Sequence, residues 1–137
     1  SCGKHINISA YHKHSWYLIK HGELLGYSQS EHLMVAAIAR YHRKGFPKKR
    51  HECWQLLIDS NQRQLVNEMS LLLRLSCAID KRPEPLISKL MIKVKNKRVE
   101  VELIPNQLGQ NLDLEKWSLN NVISLIRKNY DKDITVL

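Results

Sequence analysis

RPEPLISKLMIKVKNKRVEVELI, residues 82–104, is where the chain changes character. Pro83 and Pro85 stop the helical pattern before them, because proline cannot donate into the hydrogen-bond ladder and restricts the residue ahead of it. Beyond Pro85 the apolar period is two. Leu90, Ile92 and Val94 alternate with Met91, Lys93 and Lys95, and Val99, Val101 and Leu103 alternate with Arg98, Glu100 and Glu102. Asn96-Lys97 can make the tight turn between the runs. This reads as an antiparallel hairpin with one buried face, its outer lysines and glutamates pairing across the strands.

Outward from the hairpin, residues 114–130 place Leu119, Val122, Ile123 and Ile126 at helical spacing, and residues 134–137 read as a further strand. Upstream everything is helical. Ser28 with Glu31 forms a capping box, Leu33, Ala36, Ala37, Arg40 and Tyr41 follow on one face, and Gly45 with Pro47 ends that helix. Residues 11–21 read as a short helix whose Tyr11, Trp16 and Tyr17 are core. Residues 51–58 make another short one. Residues 61–81 form a long helix with Leu65, Met69, Leu72, Leu73, Ser76 and Cys77 on one broad face, Cys77 being a small buried residue. The fold class is therefore mainly α over residues 1–85, followed by a small α+β domain over residues 86–137.

The 137 residues suffice for a core without disulfides or metal. Cys2, Cys53 and Cys77 have no paired spacing, which fits reduced thiols and a cytoplasmic setting. No run approaches a membrane span. The chain opens Ser-Cys-Gly-Lys-His without an initiator Met and enters patterned sequence at once, which reads as a piece of a larger protein. Net charge is +9, and all seven histidines lie within the first 51 residues. Arg40, Arg43, Lys44, Lys48, Lys49 and Arg50 follow one another with no intervening acid. That balance selects polyanionic partners. Part of it has a structural motive, since cations suit the negative end of a helix dipole.

Four segments follow one another at close intervals: Gly3-Lys4-His5-Ile6, Tyr11 to Ile19 containing HKHS (residues 12–15), Gly26-Tyr27-Ser28, and Ala39 to Lys44 containing RYHRK (residues 40–44). Together they resemble the C-terminal half of the exopolyphosphatase and guanosine pentaphosphate phosphatase family, whose helical domain looks like a degenerate HD domain. LLRLSCAID (residues 72–80) resembles the helix that closes HD-type cores. The resemblance implies that catalysis resides in two N-terminal actin-like domains holding the phosphate loops and a Mg²⁺ or Mn²⁺ ion, with no cofactor in this piece. It implies a basic groove for inorganic polyphosphate or guanosine pentaphosphate, contact with the chain's own actin-like domains, homodimer formation and no membrane partner. The expected polyphosphate-binding residues are His12, Lys13, His14, Arg40, His42, Arg43, Lys44, Lys48, Lys49 and Arg50. Arginine forks and lysine ammoniums suit closely spaced phosphates, and His12, His14 and His42 would bind anions more strongly once protonated below about 6.5.

Two other readings compete. An HD-type metal-dependent phosphohydrolase needs a His-Asp pair and a distant Asp, yet Ser1 and Cys77 stand where those aspartates would fall, and His12 and His14 diverge on a helix. A nucleic-acid-binding module is compatible with Tyr41, Phe46 and Trp54 among the basic residues, but no recognition motif accompanies them.

Overall fold

The computed structural model describes residues 2–95, 98–129 and 133–137, so the Asn96-Lys97 turn, Ser1 and Tyr130 lie outside the described residues. The chain divides into two compact units, Ser1–Arg74 and Leu75–Leu137.

The first unit begins with a 3-10 turn, Cys2–His5, followed by α1 (Tyr11–His21), α2 (Gln29–Tyr41), the single-turn α3 (Glu52–Gln55) and most of α4 (Ser60–Ile79). The capping box at the start of α2 forms as read. The Ser28 hydroxyl accepts from the Glu31 N–H, and Glu31 Oε2 accepts from the Ser28 N–H at 2.8 Å. Gly45, at φ +73°, turns the chain away after α2. The carbonyls left open there are met by Arg74, which is 5% exposed. Its guanidinium donates to Tyr41 O and, at 2.6 Å, to Gly45 O, and it lies 4.7 Å from the Phe46 ring. The core joins Trp16, Ala36, Ala37, Tyr41, Cys53, Leu57 and Val66.

Two expectations about side-chain direction are corrected here. On α4 the buried stripe is Val66, Ser70, Arg74 and Ala78, one residue every turn, whereas Leu65, Met69, Leu72, Leu73 and Cys77 are exposed. The face with more apolar residues points outward because Arg74 is needed inside to close α2. Tyr17 is likewise exposed, and only Trp16 of the three α1 aromatics belongs to the core.

The second unit holds the end of α4, a three-stranded sheet and α5 (Asp113–Asn129). β1 (Ile87–Lys95) pairs antiparallel with β2 (Arg98–Pro105), and β2 pairs parallel with β3 (Asp133–Val136), giving the order β1-β2-β3. The register matches Ile92 with Val101 and Lys93 with Glu100, so apolar faces apolar and lysine faces glutamate. The core is Ala78, Leu103, Leu112, Leu119 and Ile123, with Val101, Ile134 and Val136 against it. The hairpin is not buried along the whole of one face. β2 and β3 contribute to the core, but Leu90, Ile92 and Val94 of β1 are 40%, 62% and 72% exposed. Glu115, buried in the first turn of α5, accepts from Arg82 at 2.8 Å.

Candidate polyanion-binding site

The site begins with a glycine. Gly3 sits so close to α1 that a Cβ there would lie 2.0 Å from Tyr11 O and 2.6 Å from Ser15 N. Its N–H donates to Ser15 Oγ at 3.1 Å, and that hydroxyl donates to Tyr11 O at 3.0 Å. The glycine of GKHI and the serine of HKHS are thus a packing pair. The contact brings Lys4 beside α1, its ammonium 5.3 Å from the Tyr11 ring. The guanidinium of Arg43, just past the end of α2, lies 4.2 Å from the same ring, and the His42 ring is 6.0 Å from it. Tyr11 is therefore a platform shared by two cations, an arrangement favoured by the ring quadrupole, and not the core residue its spacing predicts.

Beside this platform lies His12, 6% exposed, with a buried Nδ1 that has no partner among the described residues. Burial lowers its pKa to about 4, and Arg40, Arg43, Lys13 and His42 push the same way. Arg40 is half-buried, and its buried Nη1 also lacks a partner among the described residues. Arg40 and Lys13 act in turn on His51, whose pKa is lowered first by burial and then by Arg40, Arg50, Lys48 and Lys13. His51 Nδ1 is 2.9 Å from the Tyr41 hydroxyl, which is 2.9 Å from Cys53 Sγ. Burial raises the Tyr41 pKa, so the phenol keeps its proton and can donate it to a neutral His51. His42 donates from Nδ1 to Ala39 O at 2.8 Å; burial lowers its pKa, opposed by that hydrogen bond and aided by Arg74 and Arg43.

Of the ten residues expected at the site, His12, Lys13, Arg40, His42 and Arg43 come together, and Lys48 and Arg50 join them electrostatically through His51. Lys44 and Lys49 are exposed beside them in sequence, and His14 is half-buried on α1. Lys4, Tyr11 and His51 also belong to the cluster. Lys4 and Tyr11 lie inside the quoted motifs; the Gly3–Ser15 contact brings Lys4 to the Tyr11 ring, and Arg43 reaches that ring from the end of α2. His12 and His42 do not supply charge near 6.5: His12 is held neutral until about pH 4 and His42 is shifted in the same direction. The fixed positive charge therefore comes from lysine and arginine. Among the described residues no three His, Cys, Asp or Glu side chains are grouped to hold a metal ion, and no helix is long and apolar enough to cross a membrane.

The family model for Ppx/GppA phosphatase, domain III, matches residues 1–122, and the chain belongs to that family. A guanosine-5'-triphosphate,3'-diphosphate pyrophosphatase of Pseudoalteromonas translucida (strain TAC 125) is 46% identical over 43 residues. That match covers 31% of this chain and 9% of the curated relative.

Proposed function

We propose that this chain is the polyphosphate-gripping and dimerising C-terminal region of an exopolyphosphatase or guanosine pentaphosphate phosphatase, with hydrolysis carried out by N-terminal actin-like domains of the same protein. The observation that carries the reading is the gathering of Lys4, Lys13, Arg40 and Arg43 from the 3-10 turn, α1 and the end of α2, with no carboxylate partner among the described residues. Cations assembled without counterions raise the local potential and favour a polyanion. The unpartnered Arg40 Nη1 and His12 Nδ1 add polar groups whose burial costs about 1–3 kcal/mol each until a ligand oxygen or water meets them.

We read the helical unit as a degenerate HD-type domain. Cys77 is exposed on α4; in this reading it replaces the metal-binding aspartate of an HD enzyme, and the Mg²⁺ or Mn²⁺ of the whole enzyme belongs to the actin-like domains. Leu65, Met69, Leu72 and Leu73, 40–59% exposed on α4, offer an apolar surface for those domains or for the second subunit. A cytoplasmic location accords with this role.

The test is binding without turnover. The chain should retain long-chain polyphosphate in an electrophoretic shift assay, release no phosphate from it with Mg²⁺ or Mn²⁺ present, and prefer it to single-stranded DNA of matched charge. Phosphate release abolished by His42→Ala would move the assignment to a metal-dependent HD hydrolase. Tighter binding to the DNA would move it to a nucleic-acid module.

A further inference from the structure

The second unit carries a sheet with an open edge, a feature independent of the phosphate-gripping cluster. β1 is nine residues long and, among the described residues, pairs only with β2. A strand left this way presents a row of backbone donors and acceptors to any chain that can align with it. Eight of its nine residues are exposed.

Proteins commonly protect such edges with lysine, proline or bulges. Here the protection is one-sided. The only register shift lies between Ile87 and Lys89, and no proline interrupts the strand. Lys93 and Lys95 stand opposite Glu100 and Arg98 on one face, while Leu90, Ile92 and Val94 stay exposed on the other. On the lysine face Lys95 bonds Glu100 at 2.9 Å, whereas Lys89 and Lys93 have no acidic partner among the described residues. This strand therefore has unspent positive charge on one face and uncovered apolar surface on the other.

We propose that the free edge of β1 docks an extended acidic segment of a partner protein, one in which Glu or Asp alternates with apolar residues. β2 shows the chemistry that β1 accepts. It presents Val99, Val101 and Leu103 to Val94, Ile92 and Leu90, and Glu100 to Lys93. A partner strand of the same alternation would repeat that match on the other side, with main-chain bonds supplying affinity and the two rows supplying specificity. A second copy of this chain does not fit. Laying one β1 against another on the same faces sets lysine rows side by side, and like charges across strands are destabilising.

The experiment uses the intact chain and fluorescein-labelled ten-residue peptides, one alternating Glu with Val and one alternating Lys with Val. The Glu–Val peptide should bind and the Lys–Val peptide should not. Affinity should fall at least tenfold in Lys89→Glu/Lys93→Glu, with preference passing to the Lys–Val peptide, and several-fold in Ile92→Ser. Lys89→Gln/Lys93→Gln, which adds no repulsion against Glu100, should fold normally and still lose several-fold. Amide exchange should slow within β1 when the Glu–Val peptide binds. Arg40→Ala/Arg43→Ala should bind the peptide as wild type does. No binding by wild type, binding indifferent to the lysine substitutions, or protection confined to the first unit would overturn the proposal. So would sedimentation showing that β1 is instead covered by a second copy.

Discussion

His12 is a buried imidazole surrounded by cations, and it should make the first unit sensitive to acid. Its pKa is about 4 in the folded chain against about 6.5 unfolded. Between those values the unfolded chain binds the extra proton, so stability rises with pH across the window and is lost as pH falls from 6.5 toward 4. A shift of this size corresponds to roughly 3 kcal/mol once both forms are protonated, of which about 2 kcal/mol should be gone by pH 5. His42 and His51 are shifted in the same direction, so the diagnostic quantity is the difference between wild type and His12→Gln. The assay is urea unfolding at pH 7.5 and pH 5, followed by the fluorescence of Trp16 and Trp54 in a Trp117→Phe background. With m near 1–3 kcal/mol/M, wild type should lose roughly 0.7–2 M in midpoint more than the variant between the two pH values. Equal pH slopes in both proteins would refute the claim that His12 is held neutral by its surroundings.

Three further perturbations test the framework around the site. Gly3→Ala forces a methyl into Tyr11 O and Ser15 N, and should cost about 1–3 kcal/mol or detach the 3-10 turn, read as faster amide exchange at Gly3 and lower affinity for polyphosphate. Arg74→Met leaves the Tyr41 and Gly45 carbonyls without their donor and should lower stability by about 2–4 kcal/mol in urea unfolding. Ser28→Ala removes the capping box, and about 1 kcal/mol of stability should go with it, with binding otherwise retained.

The parts of the fold legible in the sequence were those fixed by local chemistry. The Ser28–Glu31 box, the Gly45–Pro47 stop and the alternation on either side of Asn96-Lys97 each name their own conformation, and the register of β1 with β2 follows from that alternation. The face of α4 did not follow, because periodicity counts apolar residues and cannot see that Arg74 is required inside by the end of α2. Nor could the hairpin pattern show that the apolar row of β1 lies beyond the core formed with β2 and β3. At the site, the density of arginine and lysine was plain from the run after Arg40. What stayed hidden was tertiary: the contact of Gly3 with Ser15 that brings Lys4 to Tyr11, and the reach of Arg40 and Lys13 to both His12 and His51. The low pKa of His12 and His42 was hidden for the same reason, since burial and neighbouring cations, which no local pattern reveals, hold both rings below their ordinary range.

The most direct test of the central claim is the salt dependence of polyphosphate binding. A site that neutralises phosphates releases counterions, and each contact on a flexible single strand contributes about −0.7 to the slope of log affinity against log salt, so a few contacts should give roughly −2 to −4. Removing both charges in Arg40→Ala/Arg43→Ala should weaken binding and make that slope shallower by about 1 or more. Lys93→Ala/Lys95→Ala removes the same charge from the second unit and should leave the slope nearly unchanged. Equal losses from the two pairs would mean that net charge alone attracts the polyanion and that the cluster around Tyr11 and His12 is not its site.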